Sequence, residues 1–199
     1  MKILIVGASG TLGQAVAAEL GQRHEIIRAG RGSGDVQVDL RDAASVTAMY
    51  DVVSDLDAVV CAAGKVPFAS LGELTEAKYL EGLNDKLLGQ VRLVQAGMHK
   101  LRDRGSFTLI TGILTEQPIL SGACASMANG AVEAYVRAAA IELPRGLRIN
   151  VVSPNVLTEA MHAYGPYFRG FEPVSAARAA LAFSRSVEGL QTGQVYKVW

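Results

Sequence analysis

The sequence predicts an α/β domain in which parallel strands form one buried sheet. Three observations support this prediction. The chain begins with a run, Lys2 to Val6, whose last four residues are all Ile, Leu or Val, as is typical of a strand buried on both faces. Glycines at positions 7, 10 and 13 follow the run directly. Apolar residues then recur at helical spacing, so that a strand, a glycine turn and a helix follow one another as in a parallel βαβ unit.

The glycine turn predicts a binding site for a phosphate or pyrophosphate. Gly7 can adopt the positive φ of a tight turn, Gly10 allows a ligand close to the backbone, and Gly13 allows the helix to lie against the strand. The first amide groups of the helix and the positive end of its dipole face whatever lies over the turn. The alternative is a structural turn without a ligand. The residues expected to contact a dinucleotide here are Gly7, Ser9, Gly10, Thr11, Leu12 and Gly13.

Length and composition limit the classes of protein that fit. The 199 residues suffice for one well-buried core and are few for two. The 19 basic and 19 acidic residues balance without forming a basic block, so we expect neither nucleic acid nor a membrane surface as a partner. The two cysteines and three histidines are scattered, which predicts no disulfide and no metal site. With no signal peptide and no membrane-length apolar run, we expect a soluble cytoplasmic protein.

The end of the second strand, Glu25 to Ala29, indicates which cofactor is preferred. An NAD site places an acidic residue about 20 residues past the glycine turn, whereas an NADP site leaves room and a cation for the 2′-phosphate. This chain has Gly30 there, followed by Arg31, with Arg28 and Ser33 nearby. NADP is therefore the predicted cofactor, and NAD is less favoured. The alternative for Arg31 is an ordinary solvated loop arginine.

The third and fourth strands also end in residues that suit a ligand. The third, Val36 to Val38, is followed by Asp39-Leu40, after which Asp42 can cap a helix. The fourth, Leu56 to Val60, is followed by Cys61-Ala62-Ala63-Gly64. Small residues at the carboxyl end of a strand leave space in the crevice where open α/β sheets bind ligands.

A long helix is predicted from about Glu76 to Arg102. Its buried stripe is expected to consist of Leu83, Leu87, Leu88, Val91, Val94 and Met98. Asn84 lies inside this pattern, although asparagine is a poor helix former whose side chain competes for backbone partners. Asn84 is therefore a candidate for a functional role, and the alternative is a merely tolerated polar residue.

The helix predicted from Ala123 to Leu143, after a fifth strand at 107–110, is apolar on nearly every face. A helix that is apolar all round is buried on more than one side. One side of this helix can cover the sheet. The other side predicts a contact with a second subunit, and hence a homodimer or homotetramer.

The remainder of the chain completes a single domain, residues 1–199. A sixth strand, 147–152, leads into an irregular aromatic segment, 154–174, which we expect to act as a lid over a bound substrate. Its aromatic residues could instead simply pack the loop down. A helix, 174–186, and a last strand, 193–199, follow without linker or repeat.

These residues together resemble the short-chain dehydrogenase/reductase family over essentially the whole chain. The matching features are the Gly7/Gly10/Gly13 turn, Asp39-Leu40, Cys61-Ala62-Ala63-Gly64, Asn84, Ala131 to Arg137, Ala140 to Leu143, and Arg148 to Asn155. The resemblance implies a doubly wound, Rossmann-type sheet of seven parallel strands in the order 3-2-1-4-5-6-7, flanked by helices.

The resemblance also implies positions along a bound NADP. It puts Asp39-Leu40 at the adenine and Arg31 at the 2′-phosphate. Ala62 to Gly64 would lie along the cofactor, and Pro154 near the nicotinamide. With Ser33 and the glycine turn, these are the predicted cofactor-binding residues.

One departure from the family bears on catalysis. The family reduces carbonyls with a Tyr-x-x-x-Lys pair, in which the tyrosine hydroxyl gives a proton while NADPH gives a hydride. Alignment on 131–143 puts Ala125 at the tyrosine position and Asn129 at the lysine position, with the serine position near Thr111 or Gly112. No tyrosine in the chain has a lysine four residues later.

Two hypotheses from different classes follow. In the first, the protein is an NADP-dependent oxidoreductase for a small carbonyl or alcohol whose proton donor has moved. The candidate donors, none with an obvious base or cation beside it, are Ser126, Thr111, Cys124, Ser121, Tyr164 and Tyr167. We predict Asn84, Thr111 and Ser126 as catalytic residues. In the second hypothesis, the domain binds NADP without turning it over and acts as a sensor or regulatory protein. We favour the oxidoreductase by family resemblance alone.

Overall fold

The computed structural model of the protein describes residues 1–199. Seven strands form its sheet: β1 (Lys2–Val6), β2 (Glu25–Gly30), β3 (Val36–Gln37), β4 (Leu56–Cys61), β5 (Leu101–Ile110), β6 (Arg148–Pro154) and β7 (Val195–Val198). All neighbouring strands are parallel, and their order is β3-β2-β1-β4-β5-β6-β7. The predicted fold class and strand order are therefore confirmed.

Helices cover both faces of the sheet. They are α1 (Thr11–Leu20), α2 (Ala43–Val52), α3 (Glu76–Gly82), α4 (Gly89–Gly97), α5 (Ala123–Glu142), α6 (Met161–Tyr164) and α7 (Ala176–Glu188). A π-helical segment, Leu83–Leu88, joins α3 to α4. None of these helices is both long and apolar enough to cross a membrane.

The two helical layers can be assigned from adjacent residues of β5, because successive side chains of a strand point to opposite faces. Phe107 lies against Gly97 of α4, whereas Thr108 forms a hydrogen bond to Ser186 of α7. Helix α1 packs on α7, while α2 packs on α4 and α5 packs on α3 and the π-helical segment. One layer thus contains α1 and α7, and the other contains α2, α3, α4 and α5.

The helix predicted from Glu76 to Arg102 ends earlier than expected. The last residue of α4 is Gly97, and Leu101 already pairs with Leu56 in the sheet. The prediction was wrong over 98–102 because it rested on local apolar spacing, which suits a helix. The structure of this stretch is instead set by strand pairing with β4, which lies far away in the chain.

The π-helical segment changes which residues of this helix are buried. Leu88 belongs to the predicted stripe but is exposed, whereas Lys86 and Gln90 are buried. The stripe is wrong at Leu88 because a π turn bonds residue i to i+5 and so rotates all the following side chains relative to an α-helix. The Gln90 amide donates to the carbonyl oxygens of Lys86 and Ile110 and accepts from the Ile110 amide, which fixes α4 to β5.

The segment 154–174 is more regular than its sequence suggests. It contains a 3₁₀ turn, Thr158–Ala160, followed by α6, and a bridge between Leu157 and Val174 closes its base. Phe168 is buried in a small apolar cluster that includes Ala125 of α5. The segment is thereby held over the carboxyl ends of β5 and β6.

Candidate active site

A cleft lies along the carboxyl ends of the strands, where open α/β sheets bind their ligands. It contains two cavities, and Gly64, just after β4, lines both. The larger, of about 420 Å³, lies over the glycine turn and is called here the turn cavity. The smaller, of about 190 Å³, lies between β5, α5 and the segment 154–174 and is called the inner cavity. The cleft therefore has room for an elongated ligand.

Most of the predicted cofactor residues line the turn cavity. They are Gly7, Ser9, Gly10, Arg31, Asp39, Leu40, Ala62, Ala63 and Gly64. Five lining residues were not predicted: Val6, Gly30, Val38, Lys65 and Asp85. Gly30 and Val38 directly flank predicted residues, so the strand ends could have indicated them. Lys65 and Asp85 carry no sequence signal that separates them from ordinary surface charges.

The glycine turn has the geometry of a cradle. Gly7 has a φ of +85°, and a Cβ atom there would lie 2.8 Å from the Cβ of Ala63. No side chain caps the first turn of α1, so its amide groups are left to a ligand over the turn. A Cβ on Gly13 would come within 2.0 Å of the Gly7 carbonyl oxygen, which shows that Gly13 serves the packing of α1. These features fit the pyrophosphate of a dinucleotide.

Four predicted cofactor residues do not line either cavity. Thr11 and Gly13 belong to the first turn of α1, and Leu12 is part of the hydrophobic core. Any contribution of Leu12 and Gly13 to a ligand would come from the backbone, whereas Thr11 is exposed at the start of the helix. Ser33 lies in the loop after β2, where its carbonyl oxygen approaches Gly30.

Charged groups at the far end of the turn cavity are held in defined positions. Arg41 forms a close ion pair with Asp39, with 2.6 Å between Nη2 and Oδ2. The hydrogen bonds from Arg41 lower the pKa of Asp39 to about 2, so this carboxylate stays charged at neutral pH. Arg31 is exposed and lines the same cavity. This end of the cleft thus presents an ion-paired carboxylate beside a guanidinium group.

The inner cavity brings together residues from distant parts of the chain. Thr111, Ala125, Asn129 and Pro154, all singled out from the sequence, line it. Ala125 and Asn129 lie one turn apart on α5 and both line the cavity, as expected for the two positions that the family resemblance assigns to a Tyr-x-x-x-Lys pair. The other lining residues are Gly64, Val66, Phe68, Lys86, Gly112, Ile113, Leu114, Asn155, Val156 and Phe168.

Lys86 is the functional candidate that sequence reasoning missed. Its side chain is 8% exposed and lies against Gly64, where a Cβ atom would come within 2.8 Å of the lysine Cδ. Burial lowers the pKa of Lys86 to about 8, while the nearby Cys61 and Asp85 act in the opposite direction. A lysine within the apolar helix pattern was the available signal, because a solvated lysine belongs on the polar face.

Asn84 does not reach the cleft, which corrects its prediction as a catalytic residue. Its side-chain oxygen accepts a hydrogen bond of 2.7 Å from Arg92, and it lines an outer apolar groove with Leu80 and Leu87. Asn84 lines this outer groove whereas Lys86 lines the inner cavity, so the two side chains point to different sides of the π-helical segment.

A buried hydrogen bond connects Thr111 to α5. The Thr111 hydroxyl donates to Glu133 at 3.1 Å, and Glu133 also lies 4.0 Å from the Arg137 guanidinium group. The Thr111 side chain is thus already engaged by a carboxylate. It can orient groups in the inner cavity, but its proton is directed away from a substrate.

The other candidate proton donors are poorly placed. The Ser126 hydroxyl is sealed from solvent without a hydrogen-bond partner, and Ser126 does not line the inner cavity. Cys124 is buried, and burial raises the pKa of its thiol. Tyr164 and Tyr167 of the segment 154–174 are exposed, and neither lines the cavity. Ser126 is therefore not supported as a catalytic residue by its position.

Comparisons with known sequences agree with this geometry. The sequence model of the family described as enoyl-(acyl carrier protein) reductase matches residues 6–194. An uncharacterised oxidoreductase from Methylorubrum extorquens is 32% identical over 146 residues, which are 70% of this chain and 59% of that protein. The short chain dehydrogenase/reductase AacuN from Aspergillus aculeatus is 23% identical over 191 residues, 83% of this chain and 72% of that protein. The chain thus matches somewhat more than half the length of the Methylorubrum protein.

Solved structures share the whole architecture. The crystal structure of the protein lin1944 from Listeria innocua is 53% identical, with a TM-score of 0.99 over the full length of both chains. A small-chain dehydrogenase in complex with NADPH has a TM-score of 0.88 at 21% identity, covering 100% of this chain and 96% of that one. At that identity the likeness shows the fold alone. From the family match over residues 6–194 and the sheet that carries the cleft, we conclude that this chain belongs to the short-chain dehydrogenase/reductase family of oxidoreductases.

Proposed function

We propose that the protein is an NADP-dependent oxidoreductase acting on a small carbonyl or alcohol substrate. The observation that carries this proposal is the meeting of two different cavities at Gly64. The turn cavity offers a glycine cradle and the cation of Arg31, and the inner cavity offers polar side chains within an apolar wall. One elongated ligand in the first cavity can thus present its far end to a small molecule in the second.

The residues present fit NADP along the whole cleft. The glycine turn and the first amides of α1 would hold the pyrophosphate, and Arg31 would bind the 2′-phosphate. Asp39-Leu40 would lie at the adenine, Ala62 to Gly64 along the ribose, and Pro154 at the nicotinamide. When bound in its reduced form, the cofactor supplies a hydride to a carbonyl carbon. The NADPH complex of the small-chain dehydrogenase of the same fold supports this assignment.

The size of the inner cavity supports a small substrate. Its volume of about 190 Å³ lies below the roughly 300–1,000 Å³ of sites for drug-sized ligands. Phe168 and Leu114 close its apolar side, while Asn129 and Lys86 contribute polar groups. A short aldehyde, ketone or keto acid combines the required size with a polar oxygen.

A second candidate is an NADP-binding sensor that does not turn its cofactor over. The specific observation in its favour is the methyl group of Ala125 at the position where the family carries its tyrosine, since a methyl group cannot donate a proton. The buried ammonium group of Lys86 in the same cavity favours the enzyme, because a sensor has no need for it.

The experiment that tests the proposal has two stages. Titration with NADPH and NADH, followed by cofactor fluorescence, is expected to show tighter binding of NADPH. At saturating NADPH, a panel of short aldehydes, ketones and keto acids is then screened for loss of absorbance at the wavelength of the reduced cofactor. Turnover supports the enzyme, binding without turnover supports the sensor, and absence of binding rejects both.

We also propose that the protein is a cytoplasmic homodimer or homotetramer. The outer groove formed by α3 and the π-helical segment is apolar, with Leu80 57% and Leu88 43% exposed. Helix α5 packs beside this groove and adds exposed Met127 and Ile141. Exposed apolar side chains on neighbouring helices are typical of a subunit contact.

A further inference from the structure

Lys86 is the only lysine or arginine among the residues that line the inner cavity, and it has no partner there. Its side chain is 8% exposed, yet the ammonium group forms neither a hydrogen bond nor a salt bridge. Burying a charge without a partner destabilises a folded protein. A group kept in such a position is a candidate for chemistry rather than for stability.

Asn129 is the second unpartnered polar group of this cavity. It is 6% exposed, and its amide forms no hydrogen bond, so it can bind a ligand. The remaining polar side chains are engaged elsewhere: Thr111 donates to Glu133, and the Asn155 amide donates to the Glu172 carbonyl oxygen. Lys86 and Asn129 are therefore the two lining residues whose polar side chains have no partner, and Ala125 lines the same cavity.

We propose that Lys86 is the proton donor of the reduction and takes over the role that a tyrosine at position 125 would have. This inference rests on the proposed function. As the carbonyl carbon accepts a hydride from the reduced nicotinamide, its π bond breaks and the electron pair moves to the oxygen. The Lys86 ammonium group gives one proton to that oxygen. The products are an alcohol, oxidised cofactor and a neutral Lys86 amine, which regains its proton from water.

The charged and titratable groups around Lys86 are compatible with this role. Cys61 on β4 stays a neutral thiol at pH 7, because burial raises its pKa to about 11. Asp85 precedes Lys86 in the π-helical segment and stabilises the ammonium form. On the side of α5 the nearest carboxylate, Glu133, is bonded to Thr111 rather than to Lys86. The lysine pKa of about 8 lies close to neutral pH, where a general acid is most effective.

The test compares three variants with the wild-type protein. Lys86→Met removes the charge at similar length, Lys86→Arg retains the charge but has a pKa too high to give up its proton, and Lys100→Met removes an exposed lysine far from the cleft. NADPH affinity is expected to stay within about threefold in all of them. With a carbonyl that the wild type reduces, kcat is expected to fall about 10²- to 10⁴-fold in both Lys86 variants, and Lys100→Met is expected to match the wild type.

A second readout needs no cofactor. In protein labelled with ¹³C at lysine Cε, one resonance is expected to disappear in Lys86→Met and to titrate with a midpoint near pH 8. The wild-type kcat is expected to decline above the same pH. If Lys86→Met does not fold, Lys86→Gln replaces it in both measurements.

Each outcome of these measurements has one meaning. Loss of kcat confined to the Lys86 variants, with unchanged NADPH affinity, supports the inference. Turnover by Lys86→Met within about threefold of the wild type overturns it. NADPH binding without reduction of any carbonyl in the panel also overturns it and leaves the cofactor assignment standing. Failure to bind NADPH overturns the proposed function, and the inference with it.

Discussion

Arg31 lines the turn cavity and Lys86 lines the inner cavity, and the two side chains carry their charges in different surroundings. Arg31 is exposed in the loop after β2, so water solvates it until a ligand replaces that water. Lys86 is buried behind Gly64, where little water reaches it. The guanidinium group of Arg31 is therefore accessible to a ligand, whereas the pKa of Lys86 is already changed by its surroundings.

Replacing Arg31 tests the assignment of the 2′-phosphate. Arg31→Ala is expected to raise the Kd for NADPH roughly 10- to 100-fold, since a hydrogen bond to a charged group contributes about 1.5–3 kcal/mol. Affinity for NADH, which has no 2′-phosphate, is expected to change little. Calorimetric titration with both cofactors measures this, and Arg102→Ala, which removes an exposed arginine of β5 that lines neither cavity, is the matched control. An equal loss for the two cofactors would contradict the assignment.

The effect of Lys86→Met on the free energy of unfolding tests whether burial of the ammonium group destabilises the folded protein. At pH 7 the ammonium group is charged in both the folded and unfolded chain, but only the unfolded chain solvates it. Lys86→Met is therefore expected to raise the free energy of unfolding at pH 7, by at most roughly 3 kcal/mol. Between pH 8 and 10.5 the folded protein releases this proton while the unfolded chain retains it, so the free energy of unfolding of the wild type rises with pH. The difference in this free energy between Lys86→Met and the wild type therefore becomes smaller.

Urea denaturation of both proteins at pH 7 and pH 10 measures this difference. The prediction is contradicted if Lys86→Met has a lower free energy of unfolding than the wild type at pH 7 and is lower by the same amount at pH 10. That result would show that the ammonium group is stabilised in the folded state.

At the scale of the elements, the cleft depends on how closely α1 and the π-helical segment approach the sheet. The π turn is the element that sequence periodicity could not show. Apolar spacing assumes about 3.6 residues per turn, and the wider π turn at Leu83–Leu88 shifts Lys86 inward and leaves Asn84 outside. The sequence pattern thus pointed to a segment beside the cleft, but the side chain that lines the inner cavity is Lys86 and not Asn84.

Adding one methyl group to α1 tests whether cofactor binding needs the close packing of this helix against the glycine turn. In Gly13→Ala the new Cβ would lie 2.0 Å from the Gly7 carbonyl oxygen, so α1 must move away from the glycine turn. We expect a loss of stability of about 1–3 kcal/mol or more and a loss of NADPH binding. Thermal unfolding and cofactor titration measure these effects. Gly72→Ala, where the added Cβ meets nothing within 4 Å, is the control. Unchanged cofactor affinity in Gly13→Ala would show that the cradle tolerates displacement of α1.

At the scale of the whole molecule, one helical layer of the domain carries exposed apolar side chains at Leu80, Leu88 and Met127. The outer groove and the exposed side of α5 lie in the same layer, opposite α1 and α7. The formal charge of zero offers little repulsion between copies. The predicted burial of α5 on two sides therefore depends on a partner chain.

Charging this surface tests the subunit contact. The double variant Leu80→Asp, Leu88→Asp is expected to convert an oligomer into a monomer, because each carboxylate would be desolvated at an apolar interface. Light scattering after size-exclusion chromatography at micromolar concentration measures the mass. Leu190→Asp, at a leucine 85% exposed on another part of the surface, is expected to leave the mass unchanged. A wild-type protein that is already monomeric would reject the proposal.

The sequence by itself determined the order of strands and helices, the glycine turn and the cation of the turn cavity. These are local features: continuous apolar runs, glycine spacing and the residues directly after each strand carry them. The sequence also predicted that Ala125 and Asn129 lie on one face of α5, since both belong to one regular helix, and both line the inner cavity.

Only the tertiary structure decided which side chains meet in the inner cavity. Lys86, Asn129 and Phe168 come from three distant segments, and no spacing along the chain relates them. The position of Lys86 depends on a π turn that packing between α3, α5 and the sheet selects, and its pKa depends on the burial that results. Sequence periodicity predicts which residues share one face of a helix. The burial of a side chain depends on the other elements that pack around that helix.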